Sequence, residues 1–239
     1  MMLTQLNLGE ISVDVVFKDI KNVHLSVYPP TGRVRISAPE RMKLDTVRIF
    51  AISKLDWIKR QQTKLQGQER ETPREYLERE SHYLWGRRYL LRVVEMDAVP
   101  GVELAPRTMI LRVRPQANEE KKEAIVAQFY REQIRAVVPS LIAKWTAFMD
   151  VKVERLYVQQ MKTKWGSCNP RARAIRLNTE LAKKPKHCLE YILVHELVHF
   201  FEPHHGDRFV SFMDKFMPQW RQYREELNRL PLSYERWSY

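Results

Sequence analysis

Two histidines and a glutamate in the C-terminal part of the chain have the types and spacing of a metal site. His195 and His199 are four residues apart in the segment VHELVHFFEPHH. On an α-helix this spacing places both imidazoles on one face, where they can share one Zn²⁺. Glu196 points about 100° away around the helix axis, which keeps its carboxylate near the ion but not among its ligands. The pattern predicts a HExxH site in which Glu196 is the general base towards a metal-activated water.

A third protein ligand is needed, because a catalytic zinc takes three and leaves one position open. Pro203 should end the helix soon after His199 and let the chain return towards the metal. His205 lies six residues after His199, which is the spacing of the HExxHxxGxxH pattern, although that pattern has glycine where this chain has Glu202. The spacing therefore favours His205 as the third ligand. The alternatives are His204 and a carboxylate of the last helix, Glu225 or Glu226.

The helix that carries the motif is apolar on most sides. Its neighbouring apolar side chains are Ile192, Leu193, Leu197, Val198 and Phe200. Two imidazoles and a carboxylate in such surroundings are costly unless they share a partner, and a metal ion is such a partner. The alternative, histidines that only form hydrogen bonds in a buried helix, explains the pattern less well.

A second motif, KTKWGSC, precedes the strand-like run AIRLN and predicts the edge of the cleft. Gly166 would allow a close approach of the backbone, and Trp165 offers an apolar wall. Residues 162–186 contain eight Lys or Arg and a single acid, so the mouth of the cleft is expected to be positive. The alternative is a core tryptophan beside a solvated basic face. The candidate substrate-binding residues are Lys162, Lys164, Trp165, Gly166, Ser167 and Arg173.

The two cysteines predict no chemistry of their own. Cys168 follows a Gly-Ser pair, but no base is tied to it, so packing is the better interpretation, and Cys188 is expected in the core. Two cysteines outside any CxxC pair fit a reducing, cytoplasmic setting. The N-terminal residues lack the pattern of a signal peptide, and no apolar run reaches the length of a membrane span, so no membrane partner is expected.

The charge of the chain draws it towards anions. Lys and Arg number 41 against 29 Asp and Glu, which gives a net charge of +12. Such a field attracts nucleic acid, nucleotides or acidic polypeptides without choosing among them. One hypothesis is therefore a DNA-associated basic binding protein with a structural zinc, although no zinc-finger or RNP-like motif accompanies the charge. A basic protein whose charge has no functional use is the alternative.

The hydrophobic pattern predicts an α+β fold in two parts. Residues 1–115 read as a β-rich segment with one long helix from Asp45 to about Gly67 and a hairpin around Gly86. Three alternating runs, Ile11–Phe17, Val23–Tyr28 and Arg33–Ser37, are expected to form a small antiparallel meander. Residues 116–239 read as the catalytic domain that carries HExxH, with helices over 118–150, 186–202 and 207–230, the first interrupted or kinked at Pro139 and the last broken near Pro218.

Over most of its length the sequence resembles the YgjP-like family of zincin-type metal-dependent hydrolases, relatives of the SprT-like metalloproteases. The N-terminal resemblance is in KNVHLSVYPPTGRVRISAP, LDWIKRQ and HYLWGRRYLLRV. The C-terminal resemblance is in MKTKWGSCNPRARAIRLNTEL, YILVHELVHF, HHGDRF and MPQWRQYREEL. The resemblance implies a zincin-like metallohydrolase core with metal ligands at His195, His199 and His205 and the catalytic acid/base at Glu196. The family usually has Asn-His-Ser where this chain has His204-His205-Gly206, which supports His205.

The resemblance implies hydrolysis and leaves two substrate classes open. The family is labelled a metallopeptidase, which predicts a peptide substrate in an extended groove beside the AIRLN strand, where a peptide can add as a further strand. Some members are described as nucleotide pyrophosphohydrolases acting on UTP, which predicts a compact positive pocket near Lys162, Lys164 and Arg173. A site of three histidines suits Zn²⁺, with Mn²⁺, Ni²⁺ or Co²⁺ as alternatives.

Overall fold

Secondary structure in the computed structural model is described for residues 3–28, 32–66, 74–161 and 164–230. The chain divides into two compact units, Met1–Arg70 and Glu71–Tyr239. Within the described residues there are six α-helices, one 3-10 helix and three sheets. The predicted α+β class with an N-terminal β-rich segment is confirmed.

The first unit contains a four-stranded sheet that differs from the predicted meander. Its strands are β1 (Leu3–Leu8), β2 (Ile11–Lys18), β3 (His24–Tyr28) and β4 (Arg33–Pro39), in the order β1-β2-β4-β3. β2 and β4 run parallel, whereas the two outer pairs are antiparallel, so the antiparallel meander is wrong. The reason lies in β2, whose residues from Val13 to Val16 are all buried, as in a central strand with neighbours on both sides.

Two helices follow where one long helix is predicted. α1 spans Leu44–Ser53 and α2 spans Leu55–Gln66. They separate at Lys54, whose N–H donates to the Ala51 carbonyl at 3.1 Å in a tightened last turn. The Ser53 hydroxyl donates to the Phe50 carbonyl at 2.8 Å, a local bond that competes with the helical pattern. The apolar faces of these helices and of the sheet form the core of this unit, with Val34, Ile36, Val47, Ala51 and Ile58 fully buried.

The second unit begins with another four-stranded sheet of the same connectivity. Its strands are β5 (Ser81–Leu84), β6 (Arg87–Glu95), β7 (Gly101–Leu104) and β8 (Thr108–Val113), in the order β5-β6-β8-β7. The outer pairs are antiparallel and β6 and β8 are parallel, as in the first sheet. The predicted hairpin is present: Trp85 and Gly86 both have positive φ, 51° and 78°, as a two-residue turn of this kind requires.

Helix α3 (Glu119–Met149) joins this sheet to the rest of the second unit. The Asn118 side chain caps its first turn by accepting from the Lys121 N–H at 3.1 Å, and Pro139 lies within the helix. Buried Met109 of β8 and Ile134 of α3 belong to the same core as Leu193 further along the chain. The predicted domain boundary between 115 and 116 therefore falls inside the second compact unit.

The last third of the chain builds the layer that holds the HExxH motif. β9 (Arg155–Gln159), β10 (Gly166–Asn169) and β11 (Ala174–Asn178) form a sheet in the order β10-β11-β9, and a 3-10 helix (Thr179–Lys183) follows. The helices are α4 (Lys186–Val198), α5 (Asp207–Phe216) and α6 (Trp220–Arg229). α4 packs against β10, β11, α3, α5 and α6, which explains its apolar surface on nearly every side. Among the described residues, no helix combines the length and apolarity that a membrane span requires.

Candidate metal centre

The end of α4 sets the direction of the second histidine. His199 is the C-terminal cap of the helix, and the Phe200 N–H donates to the Leu197 carbonyl at 3.0 Å in a tightened turn. The Nδ1 of His199 lies 3.0 Å from the Glu202 carbonyl oxygen. A carbonyl only accepts, so Nδ1 must carry the proton, and the lone pair of Nε2 remains free for a metal. The Glu202-Pro203 segment thus turns the chain and orients a ligand.

Three imidazoles converge after this turn. The ligand atoms of His195, His199 and His205 all lie within 4.8 Å of one another. The Nε2 atoms of His195 and His205 are 3.0 Å apart. Tetrahedral zinc with bonds of about 2.0–2.1 Å places its nitrogen ligands about 3.3 Å apart. The donor set and its spacing therefore fit a zinc ion with small adjustments of the side chains.

The ring of Phe209, on α5, packs against all three imidazole rings. Its ring centroid lies 4.8 Å from that of His195, 4.8 Å from that of His199 and 4.7 Å from that of His205. The phenyl group is buried. The Nδ1 of His195 has no hydrogen-bond partner among the described residues, so Phe209 and Tyr191 position that ring by packing. The sequence does not single out Phe209, since nothing in its local pattern links it to the histidines.

The surroundings of the cluster favour the neutral forms of His195 and His205. Burial, followed by the neighbouring His199 and His205, lowers the pKa of His195 to about 3. Burial and His199 also lower the pKa of His205. A neutral imidazole is the form that binds a metal, so the lowered pKa values of His195 and His205 favour metal binding near neutral pH. The residues present therefore fit the metal that the motif implies.

Glu196 lies behind β10, in direct contact with Gly166. The Glu196 residue is only 6% exposed, and burial raises the pKa of its carboxyl to about 7, while the charge of Lys164 acts in the opposite direction. A Cβ atom at Gly166 would lie 2.7 Å from Oε1 of Glu196 and 2.9 Å from Cγ2 of Ile192. The missing side chain of Gly166 thus makes room for this carboxylate. The close backbone approach that the sequence predicts is present.

A cleft of about 510 Å³ lies in front of the cluster. Four of the six candidate substrate-binding residues line it, namely Lys164, Trp165, Gly166 and Ser167. Arg173 is not among the lining residues; it lies in the turn between β10 and β11, where its N–H donates to the Pro170 carbonyl at 3.3 Å. Lys162 lies outside the described residues.

Among the cleft residues that the sequence did not point to, three have polar side chains: Tyr191, Arg224 and Asn228. Arg224 and Asn228 are one turn apart on α6, so they share the face that meets the cleft. The segment MPQWRQYREEL contains two arginines and two glutamates, and its pattern alone does not separate one arginine from the other. Only the packing of α6 against α4 places Arg224 near the histidines.

The alternative third ligands lie elsewhere. His204 is exposed, and its N–H donates to Glu202 Oε1 at 3.3 Å. Glu225 pairs with Arg229 at 3.4 Å, and Glu226 Oε2 lies 2.7 Å from Nε2 of His187. Of the candidates named from the sequence, His205 is the one that the structure brings to His195 and His199.

A second group of potential ligand atoms, His187, Cys188 and Glu226, also lies within 4.8 Å. His187 and Glu226 already form a close pair, and His187 stacks on Tyr223 with ring centroids 4.9 Å apart. Burial raises the pKa of the Cys188 thiol to about 12. We interpret the group as a link that fixes α6 to α4.

Cys168 lines the cleft, but its surroundings oppose a nucleophilic role. Burial and then Glu196 raise the pKa of its thiol to about 12, so the reactive thiolate is scarce at neutral pH. The thiol belongs to β10, whose face packs near Glu196. This position agrees with the prediction of a packing residue.

Comparison with known proteins identifies the family. The model of the YgjP-like metallopeptidase domain matches residues 21–230. No curated protein matches the chain. The chain is similar to the solved structure of the metallopeptidase zymogen of Methanocaldococcus jannaschii jannalysin. The match covers 38% of this chain and 92% of that zymogen, with 19% sequence identity and a TM-score of 0.34. The corresponding values for the zymogen of Pyrococcus abyssi abylysin are 38%, 91%, 17% and 0.36. With its HExxH helix and a family match over most of its length, the chain belongs to the YgjP-like metallopeptidase domain family of metal-dependent hydrolases.

Proposed function

We propose that this protein is a zinc-dependent metallopeptidase in which His195, His199 and His205 hold the ion and Glu196 is the general base. The observation that carries the proposal is the convergence of three imidazoles beside a buried carboxylate at an open cleft. A structural zinc is normally closed by four protein ligands, whereas three ligands at a cleft are typical of a catalytic one. This argues against the hypothesis of a DNA-binding protein with a structural zinc.

The donor set also bears on the identity of the ion. Three imidazole nitrogens suit Zn²⁺, with Mn²⁺, Ni²⁺ and Co²⁺ as alternatives, and are poor ligands for Mg²⁺. When bound, the ion supplies Lewis-acid polarisation of the scissile carbonyl.

Glu196 supplies the proton transfers in this proposal. Its carboxylate takes a proton from the attacking water and returns it to the departing amine of the peptide. A pKa near 7, raised by burial, suits both tasks, because the group is then neither a very weak base nor a very weak acid at neutral pH. Gly166 keeps the carboxylate in place by contact with its Cγ and Oε1.

The peptide is proposed to bind along β10. The sequence suggested the AIRLN strand, but this strand is β11, which is paired on both sides with β10 and β9 and has no edge to offer. β10 is an end strand of its sheet. The Asn178 N–H donates to the Trp165 carbonyl at 2.9 Å, so Trp165 and Asn178 form a hydrogen-bonded pair of the antiparallel ladder. Every second residue of β10 forms such a pair, so the N–H and C=O groups of Gly166 and Cys168 point away from β11. A substrate in extended conformation can add there as a further strand.

A nucleotide phosphoanhydride is the second candidate substrate. The observation that favours it is the presence of two cations, Lys164 and Arg224, in the lining of the cleft. A triphosphate carries several negative charges and would lie beside the Glu196 carboxylate, which repels it. We therefore prefer the peptide.

Metal content and substrate panels test the proposal together. Wild type, His205→Ala and the neighbouring control His204→Ala are purified without chelators, analysed for metal, and assayed with a quenched peptide library and a nucleotide panel. We expect about one zinc per chain in wild type and in His204→Ala, loss of zinc in His205→Ala, and cleavage of peptides only. Glu196→Gln should keep its zinc and lose turnover by about 100-fold or more.

Two results would contradict the proposal. Zinc retained by His205→Ala, or lost by His204→Ala, would show that the third ligand is wrongly assigned. Hydrolysis of nucleotides without cleavage of any peptide would replace the peptidase by a pyrophosphohydrolase.

A further inference from the structure

Helix α6 carries three arginines, and they differ in their partners. Arg221 pairs with Asp214 of α5, and Arg229 pairs with Glu225 at 3.4 Å. Arg224 has no carboxylate partner among the described residues. The acids next to it in sequence are engaged elsewhere, Glu225 with Arg229 and Glu226 with His187. Among the described residues, one positive charge of this helix is therefore left uncompensated.

This uncompensated charge lies at the metal cleft. Arg224 lines the cleft together with Leu227 and Asn228, three and four residues further along the same helix face. Its guanidinium is within 5.9 Å of the Trp220 ring centroid, a contact that favours a cation and limits the motion of the side chain. The pairing of His187 with Glu226 holds this part of α6 against α4. Arg224 is exposed, so a ligand can reach it.

The other charges of the cleft do not neutralise Arg224. The described lining contains one further cation, Lys164, and one carboxylate, Glu196. Glu196 is only 6% exposed and forms no ion pair with Arg224 in the described structure. The other lining residues, among them Tyr191 and His205, bring no further carboxylate to the described cleft. A negatively charged group of a ligand on this side of the cleft would pair with the positive charge of Arg224.

We propose that Arg224 forms a subsite for a carboxylate of the substrate, with Asn228 as a second donor. A guanidinium binds a carboxylate through two parallel hydrogen bonds, a geometry that lysine cannot provide. The carboxylate is either the C-terminus of the peptide or the side chain of an acidic residue next to the scissile bond. This inference rests on the proposed peptidase function and adds a substrate class to it: peptides that carry a negative charge close to the bond cleaved.

Matched peptides distinguish the two sources of the carboxylate. A parent peptide from the cleaved set is made as the C-terminal acid and as the amide, and each with Glu or Gln beside the scissile bond. The kcat/KM of wild type is expected to favour one carboxylate form by roughly 10- to 100-fold, the range expected for a hydrogen-bonded charge pair. Arg224→Gln should remove this preference by raising KM for the charged peptide, while the neutral peptide keeps its kinetics. Arg224→Lys should restore only part of the preference.

Arg229→Gln is the control, since it removes the same charge from the same helix outside the cleft. It should keep the preference of wild type. Binding is measured in parallel by calorimetry with the same peptides on zinc-loaded Glu196→Gln, with and without Arg224→Gln, so the readout does not depend on turnover.

Three outcomes would overturn the subsite. Wild type could treat charged and neutral peptides alike. Arg224→Gln could lower kcat equally for all peptides, which would indicate stabilisation of the transition state instead. Calorimetry could give equal affinities with and without Arg224. Failure of the proposed function is a separate result, in which no peptide of the library is cleaved. Even then, the subsite would be supported if the protein binds the carboxylate form of a peptide more tightly and Arg224→Gln removes this preference.

Discussion

At the scale of single residues, the general base is held by a glycine. Gly166 and Glu196 are thirty positions apart in sequence, yet the carboxylate occupies the space where a side chain at position 166 would begin. Ile192, one turn before Glu196 on α4, closes the same space from the other side. The glycine of the WGSC segment is thus required by packing against the metal helix.

Replacing Gly166 with alanine should therefore displace Glu196. The new Cβ would meet Glu196 Oε1 at 2.7 Å, Glu196 Cγ at 2.9 Å and Ile192 Cγ2 at 2.9 Å, all too close for carbon contacts. We expect peptidase activity to fall by at least about 10-fold, and the free energy of unfolding by about 1–3 kcal/mol, as for other overpacked sites. Steady-state kinetics and urea denaturation measure the two effects.

Gly101→Ala is the matched control, because a Cβ there meets nothing closer than 3.9 Å. It should leave activity unchanged. Full activity in Gly166→Ala would mean that Glu196 tolerates displacement, and the positioning role of this glycine would be wrong.

At the scale of elements, β5 contains a buried histidine. His82 is only 2% exposed, its Nε2 lies 2.9 Å from Glu80 Oε1, and its ring lies 5.9 Å from that of Tyr76. Burial lowers the pKa of His82 to about 4, and the Arg74 charge adds to this effect, while Glu80 acts in the opposite direction. Glu80 also accepts from the Glu75 N–H at 3.0 Å, so these contacts hold the chain that leads into the sheet.

This histidine predicts a loss of stability in acid. Above pH 6.5, His82 is neutral in both the folded and the unfolded chain and gives no pH dependence. Between pH 6.5 and about 4 the unfolded chain takes up a proton that the folded chain refuses, so the folded state is destabilised. From pH 7.5 to 4.5 the contribution of His82 should amount to about 2–3 kcal/mol.

Urea denaturation at both pH values measures this loss in wild type and in His82→Gln, which should lose less stability than wild type. His24→Gln, a substitution at an exposed histidine of β3, is the control and should behave as wild type. An equal loss of stability in wild type and His82→Gln would refute the assignment to His82.

At the scale of the whole molecule, the chain contains two sheets with one connectivity. In both, the first two strands form an antiparallel hairpin and the fourth strand runs parallel to the second. The third strand lies at the edge, antiparallel to the fourth. The sequence shows no repeat that announces this similarity. The first sheet has a core of its own, whereas the second shares its core with α3 and α4.

The shared core predicts which fragments fold. A fragment of residues 71–239 keeps the whole second core and should bind zinc and unfold cooperatively. A fragment of residues 116–239, which follows the boundary predicted from the sequence, loses six side chains that are buried in that core: Tyr76, Leu84, Leu91, Met109, Leu111 and Val113. We expect it to show no cooperative thermal transition by circular dichroism, because each lost side chain costs about 2–5 kcal/mol against a total stability of only about 5–15 kcal/mol. A cooperative transition in the shorter fragment would support the boundary at 115/116 instead.

The sequence by itself determined the local parts of this protein. The spacing of His195, Glu196 and His199 is fixed once the segment is helical, and the apolar surroundings make it a buried helix. The hairpin at Gly86 and the helix from Asn118 follow in the same way from turn and capping residues. Each of these features depends on residues within a few positions of one another, so the local sequence contains the information that specifies it.

Tertiary structure decided what depends on distant pairs. The parallel pairing of β2 with β4, the use of β10 as the free edge and the place of Arg224 at the cleft are set by contacts between elements far apart in sequence. The choice of His205 as the third ligand needed both sources. The spacing in the sequence favoured His205, but the turn after Pro203 decides that His205, and not His204, lies next to His195. Hydrophobic patterns specify which face of an element is buried but not which neighbour covers it, and the neighbours determine the shape and charge of this site.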